Sequence, residues 1–229
     1  PLVSSSAASD VYKRQATIYG SSKYMYIPEN SKIKPVNPYG NTKSIIEKLL
    51  SDTFHNLPNW KIASLRYFNP IGAHPSGLLG ENPKGSPNNI FPIITQVASR
   101  KKDKLSIFGR DWSTKDGTGV RDYIHVMDLA EGHVRTLDYL KNNNSMNISM
   151  NIGTSRGTSV LELIDIFQKV NNIEIPYLFE SRREGDVARL VADNSLLKRT
   201  LDWCPKRSLE EMCVDGWNWQ KLNPNGLKI

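Results

Sequence analysis

Tyr39 and Lys43 stand four residues apart in Asn37-Pro38-Tyr39-Gly40-Asn41-Thr42-Lys43-Ser44, and this pair is where chemistry can begin. On a helix, side chains four apart share a face. An ammonium close to a phenol favours the phenolate, lowering a reference pKa of about 10, so Tyr39 is a candidate general base. The pairing needs a helix, and the flanks supply one. Asn37 is a favoured cap, Pro38 suits the first turn because its missing N–H has no intrahelical partner there, and Ile45 to Leu50 continue the run. A tyrosine and a lysine at this spacing also occur on ordinary surface helices, so the pair requires company before it defines a site.

The elements around it read as a layered α/β chain. Ala16-Thr17-Ile18-Tyr19-Gly20 is β-prone and closed by glycine, the pattern of a strand end. A polar loop over 21–36 leads into the Tyr39 helix, which stops near Asn56-Leu57-Pro58, and residues 60–67 form a strand. Strand, helix, strand is the unit of a parallel sheet. The Gly- and Pro-rich stretch from Phe68 to Pro87 is too long for a plain connector and is of the kind that lines ligand sites. Further on, the pattern predicts a helix from Asn88 to about Lys101, strands over 105–109 and 120–126, and a helix over 127–140. A strand ends at Ile152-Gly153, a helix covers 159–170, a strand follows over 176–180, and two helices close the chain, one capped by Asp193 and one over 209–219. Trp217 and Trp219 read as packing residues.

Composition narrows the options. With 229 residues, 38% hydrophobic and 23% charged, the chain is of ordinary globular type. Two cysteines, Cys204 and Cys213, offer neither a disulfide framework nor a CxxC zinc pair, so no metal is expected and a reducing cytoplasm fits. No run reaches membrane-spanning length. A net charge of +7 admits nucleic acid, an anionic small molecule or scattered lysines. Without a dense basic stripe interleaved with aromatics, the last reading stands first, a phosphate-bearing substrate second, and nucleic acid is set aside. Residues 1–15, from Pro1 through Ser4-Ser5-Ser6 to Gln15, read as a non-native leader.

Several segments together resemble one family. They are Ala16 to Gly20, Pro38-Tyr39-Gly40 with Lys43, Leu65-Arg66-Tyr67-Phe68-Asn69-Pro70, Gly72-Ala73-His74-Pro75, Pro87-Asn88-Asn89, Asp116 to Val126, and Arg182-Arg183-Glu184-Gly185-Asp186. In unbroken order from Ala16 onward they resemble the UDP-glucose 4-epimerases of the extended short-chain dehydrogenase/reductase superfamily. The resemblance implies a doubly wound Rossmann-type sheet that holds NAD, its remaining part at 16–70, and a smaller α/β domain for the UDP-hexose, mainly 71–229 with segments returning to the sheet. It also implies a homodimer packed through the Tyr39 helix and its neighbour.

Carried over by position, Tyr39 is the catalytic base, and Lys43 lowers its pKa and binds the nicotinamide ribose. Tyr67 and Phe68 lie beside the cofactor. Asn69, Asn88, Asn89 and Ile90 meet the diphosphate and sugar, and Ser106, Ile107 and Phe108 form the uracil pocket. Arg121, with Tyr123 beside it, and Arg183 clamp the diphosphate, and Asp186 accepts from ribose hydroxyls. The residue types suit these roles, because two phosphates call for fixed guanidinium donors, which arginine supplies better than lysine. Leu190 falls where the family varies a gate beside the sugar 2-substituent. A leucine there, smaller than tyrosine, would admit an N-acetyl group, unless it simply packs in the core.

Two departures stand out. No glycine-rich GxxGxxG loop follows an early strand, so the resemblance implies that this chain alone is inactive. Just before Ala16, where the family has a catalytic Ser or Thr, stands Gln15. The competing readings are a dehydratase or decarboxylase of the same superfamily, and a noncatalytic UDP-sugar-binding or structural fragment.

Overall fold

The structure, a computed structural model, describes residues 15–22, 24–57, 59–83, 85 and 87–226. The leader expected over residues 1–15 lies, up to residue 14, outside the described residues.

Helix α1 (Pro38–Asn56) starts where capping chemistry requires, with the Asn37 side chain accepting from the Gly40 N–H at 2.7 Å. It leads to β1 (Lys61–Tyr67), whose alternating burial marks one face turned to the interior. Strand β1 pairs in parallel with β5 (Met146–Ile152) over its full length. At Phe68 the chain changes partner. Its N–H still bonds Ile152 at 3.1 Å, but β2 (Asn69–Ile71) then runs parallel to β4 (Val120–His125). Strand β4 is buried throughout, because β6 (Gly157–Ser159) and β8 (Arg189–Leu190) also pair with it. A separate parallel pair joins β3 (Leu105–Phe108) to β7 (Tyr177–Glu180). The fold is thus α/β with mainly parallel pairing, as expected.

Helices cover these strands. α3 (Val126–Asn142) and α5 (Ser195–Leu201) pack with β1 and β5 around Ile124, Met150, Ile152 and Trp203. α2 (Ile90–Ala98), α4 (Val160–Asn171) and α6 (Leu209–Leu222) enclose a second core around Phe91, Ile94, Phe167 and Met212. Both α4 and α6 begin with a capping box, Ser159 with Glu162 and Ser208 with Glu211. α6 lies close on Phe91 because Gly216 has no Cβ; one added there would stand 2.2 Å from the ring. Trp219 is buried and Trp217 meets Phe167 edge to face, so both tryptophans pack as expected.

Three element expectations are corrected. Residues Gln15–Tyr19 form a 3-10 turn rather than a strand end: Ala16, Ile18 and Tyr19 are all buried, which a two-residue alternation would not give. α2 stops at Ala98, not Lys101, where Arg100 adopts a left-handed φ of 58°. α5, expected to be capped by Asp193, takes Asn194 as its cap residue, although Asp193 Oδ1 still accepts from the Ser195 N–H at 2.9 Å.

Candidate active site

A cavity of about 500 Å³ opens where β1 passes into β2, against α3 and the start of α2. Its walls include Tyr67, Asn69, Asn89, Ile90 and Tyr123, five of the sequence-selected residues. Asn69 is the most informative. It is 2% exposed, and neither its side-chain nitrogen nor its oxygen has a hydrogen-bond partner among the described residues. An amide buried this way costs free energy unless something completes it, and here the residue lines an open cavity. Asn89 holds the cap position of α2 without capping it, its Nδ2 lying 3.5 Å from Glu81. Asn88 is exposed and outside the lining.

Tyr39 stands half-buried on the first turn of α1 with its hydroxyl out of solvent. Lys43 Nζ is 5.4 Å from the ring centroid, a cation–π position. The expected lowering of the Tyr39 pKa is overturned: burial raises it well above the ordinary phenol value, and the nearby Tyr67 raises it further. Burial disfavours the phenolate, and the ammonium over the ring does not offset that. Burial also raises Tyr67. Two phenols and an ammonium therefore share one neighbourhood, a donor set that suits the ribose hydroxyls and carboxamide of a nicotinamide nucleotide. Phe68 contributes differently. Its side chain is fully buried in an apolar cluster with Ile18, Tyr19, Leu190 and Ala192.

A second group gathers around β4 and the 182–188 segment. Arg121 donates to the carbonyls of Val120 at 2.9 Å and Val187 at 2.8 Å, and its Nη2 lies 3.5 Å from Asp186. Arg183 stacks on Phe108, its guanidinium carbon 3.6 Å from the ring centroid. Asp186 borders a smaller cavity of about 390 Å³ with Asp111, Trp112 and Arg182. In β3, Ser106 donates to Glu180 at 2.6 Å, whereas the Ile107 side chain points into the core, leaving only its backbone for a ligand. Leu190 is 5% exposed, packs with Phe68, and lines neither cavity.

The sequence reading assigned no role to several residues that the fold brings here. His74, Glu81 and His133 line the larger cavity; only His74, in the Gly72-Ala73-His74-Pro75 segment, carried a signal. Among the described residues no cluster of His, Cys, Asp and Glu could hold a metal ion, and no helix is long and apolar enough to cross a membrane.

A family model described as GDP-mannose 4,6 dehydratase matches residues 15–215, and the chain belongs to that family. Within it the chain is similar to UDP-glucose 4-epimerases. It is 51% identical to that enzyme of Bacillus subtilis over 219 residues, covering 95% of this chain and 64% of the relative. The crystal structure of the Bifidobacterium longum UDP-glucose 4-epimerase in complex with NAD+ and UDP superposes with a TM-score of 0.89 at 44% identity, covering 93% of this chain and 63% of the other. That of the Stenotrophomonas maltophila enzyme with bound NAD and formylated UDP-arabinopyranose gives 0.88 at 44% identity, covering 90% and 61%. The chain thus spans somewhat under two thirds of the length of these relatives.

Proposed function

We propose that these residues serve NAD-dependent 4-epimerisation of UDP-galactose and UDP-glucose. The observation that carries this is the cavity where Tyr67, Asn69, Asn89, Ile90 and Tyr123 meet, with an orphaned buried amide at its wall. The relatives crystallised with NAD+ and UDP, and with NAD and formylated UDP-arabinopyranose, support it. In this reading Tyr39 takes the proton from the sugar 4-hydroxyl and Lys43 binds the nicotinamide ribose. Asn69 and Asn89 bond the diphosphate and sugar, Arg121 and Arg183 hold the diphosphate, and Asp186 accepts from the uridine ribose. NAD, when bound, supplies a reversible hydride acceptor. Rotation of the keto sugar between the two hydride transfers requires firm contacts at UDP and loose ones at the hexose, which is how arginines and asparagines are divided here. The division at about residue 70 into a nucleotide-binding part and a sugar-binding part belongs to the same reading. So does a homodimer through α1, where Ile45 and Leu49 are 64% and 63% exposed.

The test is conversion of UDP-galactose to UDP-glucose with added NAD. The chain alone is expected to show no turnover above a blank, since no glycine-rich pyrophosphate loop stands in its sequence. A chimera that adds to this chain the part of the Bacillus subtilis relative that it does not match is expected to turn over. Failure of the folded chimera removes the proposal. A 4,6-dehydratase reading has Glu81 and His74 at the cavity wall in its favour, as extra acid–base groups. Product analysis separates the two, because dehydration yields a 4-keto-6-deoxy sugar and epimerisation does not.

Acceptance of UDP-N-acetylhexosamines is a finer part of the proposal. Leu190 pairs opposite Arg121 and packs on Phe68, so Leu190→Tyr would crowd a filled cluster, at a cost of about 1–3 kcal/mol. Because Leu190 lines neither cavity, Leu190→Tyr in the chimera is expected to lower turnover of UDP-galactose and UDP-N-acetylgalactosamine alike, and a loss confined to the acetylated sugar would make it the gate instead. Equal loss of both would mean that Leu190 is a packing residue only.

A further inference from the structure

α1 carries Tyr39 and Lys43, yet its docking is unusual for a helix of 19 residues, since its only buried residues are Gly40 and Glu47. Its large apolar residues Ile45, Ile46 and Leu49 face outward. A helix normally takes its roll from an apolar stripe pressed into a core, but the apolar residues that α1 carries on the Glu47 face, Leu50 and Phe54, are only half-buried. Gly40 allows close approach, because a Cβ there would lie 2.8 Å from the Thr17 carbonyl. A glycine permits contact but does not fix an angle. Glu47 supplies a directional contact.

The Glu47 carboxylate receives a two-pronged bond from Arg66 of β1, Nε to Oε1 at 3.0 Å and Nη2 to Oε2 at 2.6 Å, with both side chains under 10% exposed. Parallel forks of this kind set orientation as well as distance. Arg66 is itself held, donating through Nη1 to the Tyr19 hydroxyl and the Glu29 carbonyl, both at 2.8 Å. Tyr19 in turn donates to Asn151 of β5 at 2.7 Å. The fork therefore refers α1 to both strands of the β1–β5 pair. Residues 39, 43 and 47 follow one ridge of the helix, each a turn from the next. A roll of about 10° at the roughly 6 Å outer radius of a helix moves a side-chain tip by about 1 Å, and misplacement of that size can cost about 10²-fold in rate.

We propose that Arg66 and Glu47 are positioning residues that set the roll of α1 and so aim Tyr39 and Lys43. The fork also withholds the Glu47 carboxylate from Lys43, one turn away, which it would otherwise attract from the Tyr39 ring. The inference rests on the reading of Tyr39 as the base.

The experiment uses the full chain labelled with 3-fluorotyrosine, the Tyr39 19F resonance being identified by its loss in Tyr39→Phe. Lys43→Met shifts that resonance in the parent, because the ammonium lies over the ring. In Glu47→Gln, and more so in Arg66→Met, the increment caused by Lys43→Met is expected to fall by more than half, while the Tyr123 and Tyr177 resonances hold. The exchanged pair Glu47→Arg with Arg66→Glu is expected to restore it. An unchanged increment in folded Arg66→Met overturns the proposal; where that variant does not fold, Glu47→Gln decides in the same way. In the chimera, Arg66→Met is expected to lower kcat about tenfold or more with KM little changed. If Tyr39→Phe kept its turnover there while the 19F results came out as expected, the base assignment would fall and the positioning role of the fork would stand.

Discussion

Tyr39→Phe is expected to lower UDP-galactose turnover in the chimera about 10²- to 10⁴-fold, the usual contribution of a positioned acid–base group. The substitution removes one oxygen from a ring already held by α1, so substrate binding should be little affected and the loss should fall on kcat. The pH profile carries a second sign. Burial and Tyr67 raise the phenol pKa well above its ordinary value, so the phenolate fraction, and with it the rate, is expected to climb with pH through the neutral and alkaline range. Lys43→Met removes a positive charge that favours the phenolate, which moves this limb further to high pH and lowers the rate at neutral pH. Rates measured from pH 6 to 10 in parent and Lys43→Met check both statements. A Lys43→Met profile that overlays the parent would show that the ammonium does not tune Tyr39, and a Tyr39→Phe variant at parental rate would remove it as the base.

Much of this was legible in the sequence because the signals were local. Asn37-Pro38 fixed the start of α1 through a side-chain cap, and the Ser159 and Ser208 capping boxes mark α4 and α6 just as clearly. What escaped was set by partners far along the chain. Gln15–Tyr19 has strand-like residue types, but burial of three neighbours and the left-handed Gly20, which lies against the Lys34 carbonyl, coil it into a 3-10 turn. At the site, residue types could be assigned but not their electrostatics. Spacing placed Lys43 beside Tyr39, yet it carried no information on burial, which decides the direction of the pKa. Nor could it show that Ile107 turns into the core while Ser106 and Phe108 turn out, or that Glu47 and Arg66, 19 residues apart, meet as a buried pair.

Asp122→Ala is expected to destabilise the chain by roughly 3 kcal/mol or more. Asp122 is fully buried on β4 between Arg121 and Tyr123. Its Oδ1 accepts from the Thr154 N–H at 2.8 Å and the Thr154 hydroxyl at 2.6 Å, and its Oδ2 from the N–H groups of Ser155 at 3.0 Å and Ala192 at 3.1 Å. Alanine would orphan three backbone donors at about 1–3 kcal/mol each. For chains of this size about 2–4 °C of Tm accompanies each kcal/mol, so thermal unfolding should show the loss directly. The effect should reach the site as well, because this carboxylate ties β4 to the 154–155 turn and to Ala192, and β4 presents Arg121 and Tyr123. The pH dependence has a definite sign. Burial, against the hydrogen bonds that lower it, raises the Asp122 pKa to about 6, above its unfolded value of about 3.9. A carboxyl raised on folding adds stability that is fully present below the unfolded pKa and is lost as pH rises through the folded one. The gap in stability between parent and Asp122→Ala is therefore expected to widen as pH falls from 7 towards 4, read from urea unfolding at each pH. A gap that narrows instead would mean that the four donors, and not burial, govern this carboxylate.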